Sequence, residues 1–377
     1  MPPASRTLAH RIDMNTHLSI LLSRLRLAAA CCLLSGATAA VAGGAQVPHL
    51  LDVPAHVSRH TAAALIVAVS NAGGRLVAVG ERGTVLLSDD QGRSWRQAGS
   101  VPVSVALTGV QFISAEQGWA IGHGGVVLHT ADGGETWARQ LDGRRIGALA
   151  AEEASSIEAQ GGDATHLKRD AALLEQDGPD KPLLGLYFAD AARGWAVGAY
   201  GIALATRDGG ASWQAIMGRI PNAGGRHLYA ISPTSEGLLI AGEQGRLFES
   251  RDGGERFEQL ASDYEGTWFG ALPLGGGRIL AFGLRGNAWR HDGAGWQRIE
   301  LGQAATLTAG LKLGDGRPLL VDEGGRVFRV AADGSRAELL GTAPVPGVSG
   351  VALAADGALL LASMRGPYRF EPNGASQ

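Results

Sequence analysis

Short apolar runs separated by glycine-rich polar turns recur along the whole chain. One landmark is an apolar run, a Gly-x-x-Gly turn and a second apolar run. It reads VAVGERGTVLLS from Val77, WAIGHGGVVLHT from Trp119, WAVGAYGIALAT from Trp195 and LLIAGEQGRLFES from Leu238. It returns as ILAFGLRGNAWRH from Ile279, LLVDEGGRVFRV from Leu319 and LLLASMRGPYRF from Leu359. The first turn position falls at Gly80, Gly122, Gly198, Gly242, Gly283, Asp322 and Ser363. These positions are about forty residues apart, except for one gap nearly twice as long, so the chain reads as seven copies of one unit and one insertion.

Within a unit the alternation resolves four strands. In the second unit, Leu107 to Ile113 predicts the first strand, Trp119 to Ile121 the second and Val126 to Thr130 the third, with Trp137 opening the fourth. Four antiparallel strands per unit, repeated in series, predict an all-β chain: a seven-bladed β-propeller with four-stranded antiparallel blades. The last unit supplies only Val348 to Ala354, Ala358 to Ala362 and Pro367 to Phe370, so its fourth strand is missing. An N-terminal segment, residues 43–59, precedes the propeller proper at 60–377, whose first strand is expected at Ala63 to Ser70. The expectation is that Leu50 to Val53 forms a closing strand that completes the seventh blade and leaves no open edge at the join. The insertion, residues 146–182, separates blades two and three. It carries Glu152, Glu153, Glu158 and Asp163, then a predicted helix from Thr165 to Gln176 with Leu167, Ala171 and Leu174 on one face.

A second landmark lies between the third and fourth strands. It reads SDDQGRSW (Ser88 to Trp95), TADGGETW (Thr130 to Trp137), TRDGGASW (Thr206 to Trp213) and SRDGGERF (Ser250 to Phe257), with a worn copy, RHDGAGW, from Arg290 to Trp296. Asp90, Asp132, Asp208 and Asp252 suit tight turns because a carboxylate accepts backbone N–H groups there. Gly92, Gly134, Gly210 and Gly254 supply positive φ. Trp95, Trp137, Trp213 and Phe257 open the outer strand and are placed to pack between blades. Asp-Gly loops also suggest calcium, but each brings few carboxylates and no ligand ladder. The reading is therefore structural, with no metal expected.

Composition narrows the class. The chain has 377 residues, 45% hydrophobic and 18% charged, which suits a large core and excludes a disordered chain. A formal charge of −3 gives no basic field for nucleic acid. Residues 1–42 read as a cleaved export signal: Arg24 and Arg26 precede the apolar run Leu27 to Leu34, and Ala40-Val41-Ala42 fits a small-residue cleavage site. Met14 offers a second start. Both cysteines, Cys31 and Cys32, fall in that stretch, so the mature chain is expected to lack disulfides and cysteine chemistry. The expected location is periplasmic or secreted. No later run has the length of a membrane-spanning helix, so the mature protein is not expected to be an integral membrane protein. The ten histidines show no ligand spacing, no Gly-x-Ser-x-Gly elbow stands at a strand-to-helix turn, and the glycine-rich turns join strand to strand. No cofactor and no catalytic constellation are expected.

The stamped turns resemble the Asp-box, or BNR, repeat shared by sialidases and many exported propellers. The full unit, GWAVGxxGxxLxTxDGGxxW, is similar to the photosystem II stability/assembly factor-like family, over Ala63 to Phe370. That resemblance implies a photosynthesis-linked family of exported assembly chaperones that bind a precursor reaction-centre subunit. It implies here a non-enzymatic binding or assembly factor with a protein partner from a membrane or envelope complex. The alternative is a sialidase-like glycoside hydrolase. That chemistry needs an arginine trio, a Tyr–Glu nucleophile pair and an acid/base aspartate. Arg82, Arg285 and Arg365, with Tyr200 and Glu243, are the residues on offer. Arg219-Ile220-Pro221 resembles a sialidase motif but follows the third stamp instead of preceding the first. A third option is a structural module with no ligand of its own.

In such a blade the turn between strands two and three shares a face with the connection to the next blade, and the stamp lies opposite. The insertion is expected on the turn-bearing face, as a lid or docking element over the central opening or as a solvated loop. The turn residues there are Arg82, His123, Tyr200, Gln244, Arg285, Glu323 and Arg365. Converging polar side chains make them the candidate binding face, and the protein is expected to be a monomer.

Overall fold

Among the described residues seven antiparallel sheets succeed one another along the chain, six with four strands and the last with three. The structure, a computed structural model, describes residues 48–58, 61–235 and 237–372. Each inner strand packs on the inner strand of the next sheet, and the last, Gly350–Leu353, packs on the first, Ile66–Ala72. The sheets therefore close into a seven-bladed propeller. The export-signal reading of residues 1–42 lies outside the described residues.

Blade 2 shows the pattern: Leu107–Phe112, Gly118–Gly122, Val127–Thr130 and Ala138–Leu141, paired in that order. Its second strand is buried along its whole length, as are Gly194–Gly198, Leu238–Gly242 and Leu359–Ser363 in blades 3, 4 and 7. A strand covered on both faces reads as an unbroken apolar run, which is why these segments do not alternate. The core consequently lies in the seams between blades. Trp119 of blade 2 stacks on Phe188 of blade 3 with centroids 3.7 Å apart and planes 9° from parallel. Fully burying a side chain of this kind stabilises by about 1.5–3 kcal/mol.

The stamps hold these seams at one face. In the first, Ser94 N–H and Oγ–H donate to Asp90 at 2.9 and 2.6 Å, and Gly92 N–H donates to Ser88 Oγ at 2.8 Å. Asp132 and Asp208 repeat both bonds with Thr136 and Ser212, and Asp252 accepts the main-chain N–H groups of Glu255 and Arg256. The second stamp glycine takes φ of 83 to 90° in all four copies. It also faces the preceding blade: a Cβ on Gly134 would lie 3.1 Å from Leu87 Cδ2, and one on Gly254 2.7 Å from Trp195 Nε1. Trp137, Trp213 and Phe257 are buried in the same seams, while Trp95 is half-buried against blade 7.

Among the described residues the expected closing strand is not present. Leu50–Asp52 is a single 3-10 turn capped by the His49 side chain. Leu51 is fully buried between blades 1 and 2, beside Val79, Val105 and Leu107, and Asp52 pairs with Arg144 and Arg139. A deep apolar slot at that seam outcompetes an edge pairing on blade 7, whose sheet keeps three strands. Side chains close the ring instead. Gln91 stands where the other stamps have Gly133, Gly209 and Gly253, and accepts φ 64°. Its amide donates to Gly74 O (2.9 Å) and accepts Ala355 N–H (2.8 Å), while Arg369 donates to Gln91 O (2.7 Å) and pairs with Asp356.

The insertion is an ordered helical hairpin, α1 (Ile146–Ala159) and α2 (Thr165–Asp177). Leu149, Ala150 and Ala154 of α1 and Leu167, Ala171 and Leu174 of α2 enter the core between blades 2 and 3. Helix α1 packs on the outer strand Gln214–Ala215 and the turn Met217–Arg219. The hairpin is thus seated on the rim of blade 3, and the expectation of a lid over the central opening is corrected: its apolar stripe is spent on the blade's outer edge.

All four stamp carboxyls are held below the usual carboxylate range. At Asp90 and Asp208 the hydroxyls of Ser94 and Ser212 contribute most, bringing Asp208 to about 2; at Asp252 the Arg256 N–H does; at Asp132 burial opposes but the Thr136 and Thr130 bonds prevail. A depressed native value gives stability that is complete above the unfolded value and lost as pH falls through the native one. Asp208→Asn should therefore lower the melting temperature at pH 7 and flatten its decline between about pH 5 and pH 2, followed by circular dichroism. Gly254→Ala should lower stability in urea unfolding by more than Gly253→Ala, since only the former meets a neighbour; positive φ alone accounts for about 1–2 kcal/mol in each.

Candidate functional site

One face of the ring carries the entries into the inner strands, the Gly-x-x-Gly turns and the hairpin; we call it the connector face. The stamps occupy the other. Each connector-face turn is tied to the chain entering its own blade. Glu81 N–H donates to Leu65 O at 3.0 Å, His123 N–H to Ala106 O at 2.8 Å and Ala199 N–H to Pro182 O at 3.0 Å. The first turn glycine permits this approach, for a Cβ on Gly80 would sit 2.0 Å from Leu65 O. Three carboxylates strengthen the tie. Glu81, Glu243 and Glu323 accept the N–H of Leu65, His227 and Thr306 at 3.1, 2.9 and 3.0 Å.

The residue after this tie forms the apex. At Arg82, Tyr200, Gln244 and Arg285 it takes φ of 53 to 57°, the left-handed region. Blade 2 uses Gly124 there, with φ 70°. All seven candidate residues are exposed, but they do not occupy one position. Arg82, Tyr200, Gln244, Arg285 and Arg365 stand at the apex, whereas His123 and Glu323 stand one residue earlier, level with Glu81 and Glu243. Arg82, Arg285 and Arg365 form no side-chain hydrogen bond or ion pair among the described residues.

A non-glycine residue in the left-handed region costs about 1–2 kcal/mol where glycine would be free of strain. Among the described residues four such positions share the connector face, each with an exposed side chain.

The sialidase-type pair is not assembled. Glu243 carries the same main-chain tie as Glu81 and Glu323. His227 lies between it and Tyr200: its Nδ1 accepts Tyr200 N–H at 3.1 Å and is 3.7 Å from Glu243 Oε2. The Tyr200 ring packs on His227 at 5.0 Å and lies under the Lys181 ammonium at 5.2 Å. Among the described residues no group of three or more His, Cys, Asp or Glu is placed to hold a metal ion. None of their helices is long and apolar enough to cross a membrane.

Tyr200 also divides two clefts beside the hairpin. One, of about 260 Å³, is lined by Leu173, Leu174, Lys181 and Gly225. The other, of about 300 Å³, is lined by Ile157, His166, Leu167 and Pro221. Sequence reasoning missed Lys181, Leu173 and His227, and with them Tyr229 and Phe269. The latter two occupy the second position of their inner strands, the place held by Thr108 and Thr308 in blades 2 and 6, so aligning the units on that position exposes them.

Residues 64–171 and 173–267 match the family model described as photosynthesis system II assembly factor YCF48. No curated protein matches the chain. Among solved structures, YCF48 bound to D1 peptide aligns with a TM-score of 0.59 at 15% identity, covering 85% of this chain and 100% of that one. YCF48 from Cyanidioschyzon merolae gives 0.57 at 13% identity, covering 82% and 96%. A streptogramin B lyase gives 0.60 at 11% identity, covering 83% and 95%. At these identities the likeness is one of fold, and it spans binding proteins and an enzyme.

Gln244→Gly and Arg285→Gly should each raise stability by about 1 kcal/mol in urea unfolding, because glycine removes the strain that blade 2 avoids with Gly124.

Proposed function

The chain belongs to the photosynthesis system II assembly factor YCF48 family, and on that premise we propose that it is an exported, non-enzymatic binding or assembly factor. It holds a segment of a protein from a membrane or envelope complex on the connector face. The observation that carries this reading is the set of four strained, exposed apex residues, Arg82, Tyr200, Gln244 and Arg285. The stamp face offers no counterpart: its one strained non-glycine residue, Gln91, is consumed in closing the ring. Export rests on the signal-like residues 1–42, and a relative that binds a D1 peptide supports a protein ligand.

The glycoside hydrolase reading gains no support from the geometry, since Glu243 accepts the His227 N–H and no bond joins Glu243 to the Tyr200 hydroxyl among the described residues. Crosslinking pull-down from the native envelope tests the proposal. The wild-type chain should capture one membrane-protein partner, and Arg82→Glu/Arg365→Glu should lose it with an unchanged melting temperature. Capture that survives the charge reversal would overturn the face assignment. Hydrolysis of a fluorogenic sialoside, abolished by Tyr200→Phe or Glu243→Gln, would overturn the non-enzymatic reading.

A further inference from the structure

The inner strands share a bulge near the connector face. One residue is left over in the pairing with the second strand: Val67, Thr108, Leu184, Tyr229, Phe269 and Thr308 in blades 1 to 6. In blades 2 and 6 this residue has a structural task. Thr108 Oγ1 donates to Leu183 O of the next inner strand at 2.6 Å, and Thr308 Oγ1 donates to Val348 O at 2.8 Å. Ser349 does the same for the join, donating to Val67 O at 2.9 Å. Blades 4 and 5 give up this bridge for Tyr229 and Phe269, half-buried rings that meet edge to face at 5.0 Å.

These two rings continue a file. Tyr200 lies 5.0 Å from His227, and His227 lies 6.3 Å from Tyr229. The file starts at the strained apex of blade 3, beside the hairpin clefts, and ends on the inner strand of blade 5. Two arginines belong to the same turns and strand entries: Arg226 precedes His227 in the chain and Arg285 is the apex of blade 5, and neither has a carboxylate partner among the described residues. His227 spends Nδ1 as an acceptor, which leaves Nε2 as its ring N–H donor. The nearby carboxylate, Glu243, is already committed to His227 N–H.

We propose that this aromatic file is the specificity strip of the connector face, and that its occupant is an extended peptide bearing a large apolar side chain next to an acidic residue. The inference rests on the binding reading above and names the ligand's chemistry. Side chains on one edge of an extended peptide advance by roughly 6.6 Å, comparable to the 6.3 Å step from His227 to Tyr229. Aromatic faces take the apolar side chain, and the unpaired guanidiniums take the carboxylate.

The test replaces the rings with the residue that blades 2 and 6 use. Fluorescein-labelled nonapeptides carrying one Phe flanked by Asp are titrated by anisotropy against wild type and Tyr229→Thr/Phe269→Thr. The expected result is saturable binding to wild type, weakened at least tenfold in the variant, by Phe→Ala or by Asp→Lys in the peptide, with the variant's melting temperature unchanged or higher. Equal affinity in the variant overturns the proposal, as does a lower melting temperature, which would make the rings structural. Equal binding of the Lys peptide, binding of sialyl or xyloglucan oligosaccharides in its place, or no peptide binding would also overturn it. In the envelope pull-down, capture lost on Arg82→Glu/Arg365→Glu but retained by the threonine variant removes the aromatic file while leaving the face assignment standing.

Discussion

A sheet with two apolar faces is stable only when something covers both, and in this chain each blade is covered by its two neighbours. That requirement explains the buried second strands, the Trp119–Phe188 stack and the placing of the core in seams. It also explains the stamps. Their hydrogen bonds fix a turn, but the turn's second glycine and the aromatic that follows press against the preceding blade, so each copy both shapes a hairpin and closes a joint.

The two faces of the ring differ in how they use backbone strain. On the stamp face the turns take glycine at positive φ, and Gln91, the exception, gains bonds to blade 7 in return. On the connector face Arg82, Gln244 and Arg285 hold left-handed conformations with exposed side chains, and Tyr200 does so while packing on His227. At Arg82 and Gln244 the glutamate one residue earlier binds a main-chain N–H and ties the turn down. In these two turns the tie and the exposed side chain fall to adjacent residues.

The architecture was legible because it is local and repeated. Five Gly-x-x-Gly turns and their variants at Asp322 and Ser363, about forty residues apart but for the insertion, define the blades, and Leu167, Ala171 and Leu174 mark α2 by their period. Helix α1 was not legible, for it buries Ile146, Leu149, Ala150 and Ala154 among small residues that give no sharp stripe. The fate of Leu51 depends on a slot formed by blades 1 and 2, which no pattern within residues 43–59 reveals. His123 and Glu323 were grouped with Arg82 because turn composition does not fix the apex; strand register does. The aromatic file joins residues from three blades, and adjacency of that kind exists only after the ring has formed.

Blade 7 has three strands among the described residues, and this has a mechanical meaning. No main-chain ladder there laces the beginning of the propeller to its end; the join is held by apolar contact and by the side chains of Asn71, Gln91, Arg93, Ser349, Asp356 and Arg369. A pull on the C-terminal strand is therefore resisted at the join by side-chain contacts, with no backbone pairing to the start of the ring to share the load.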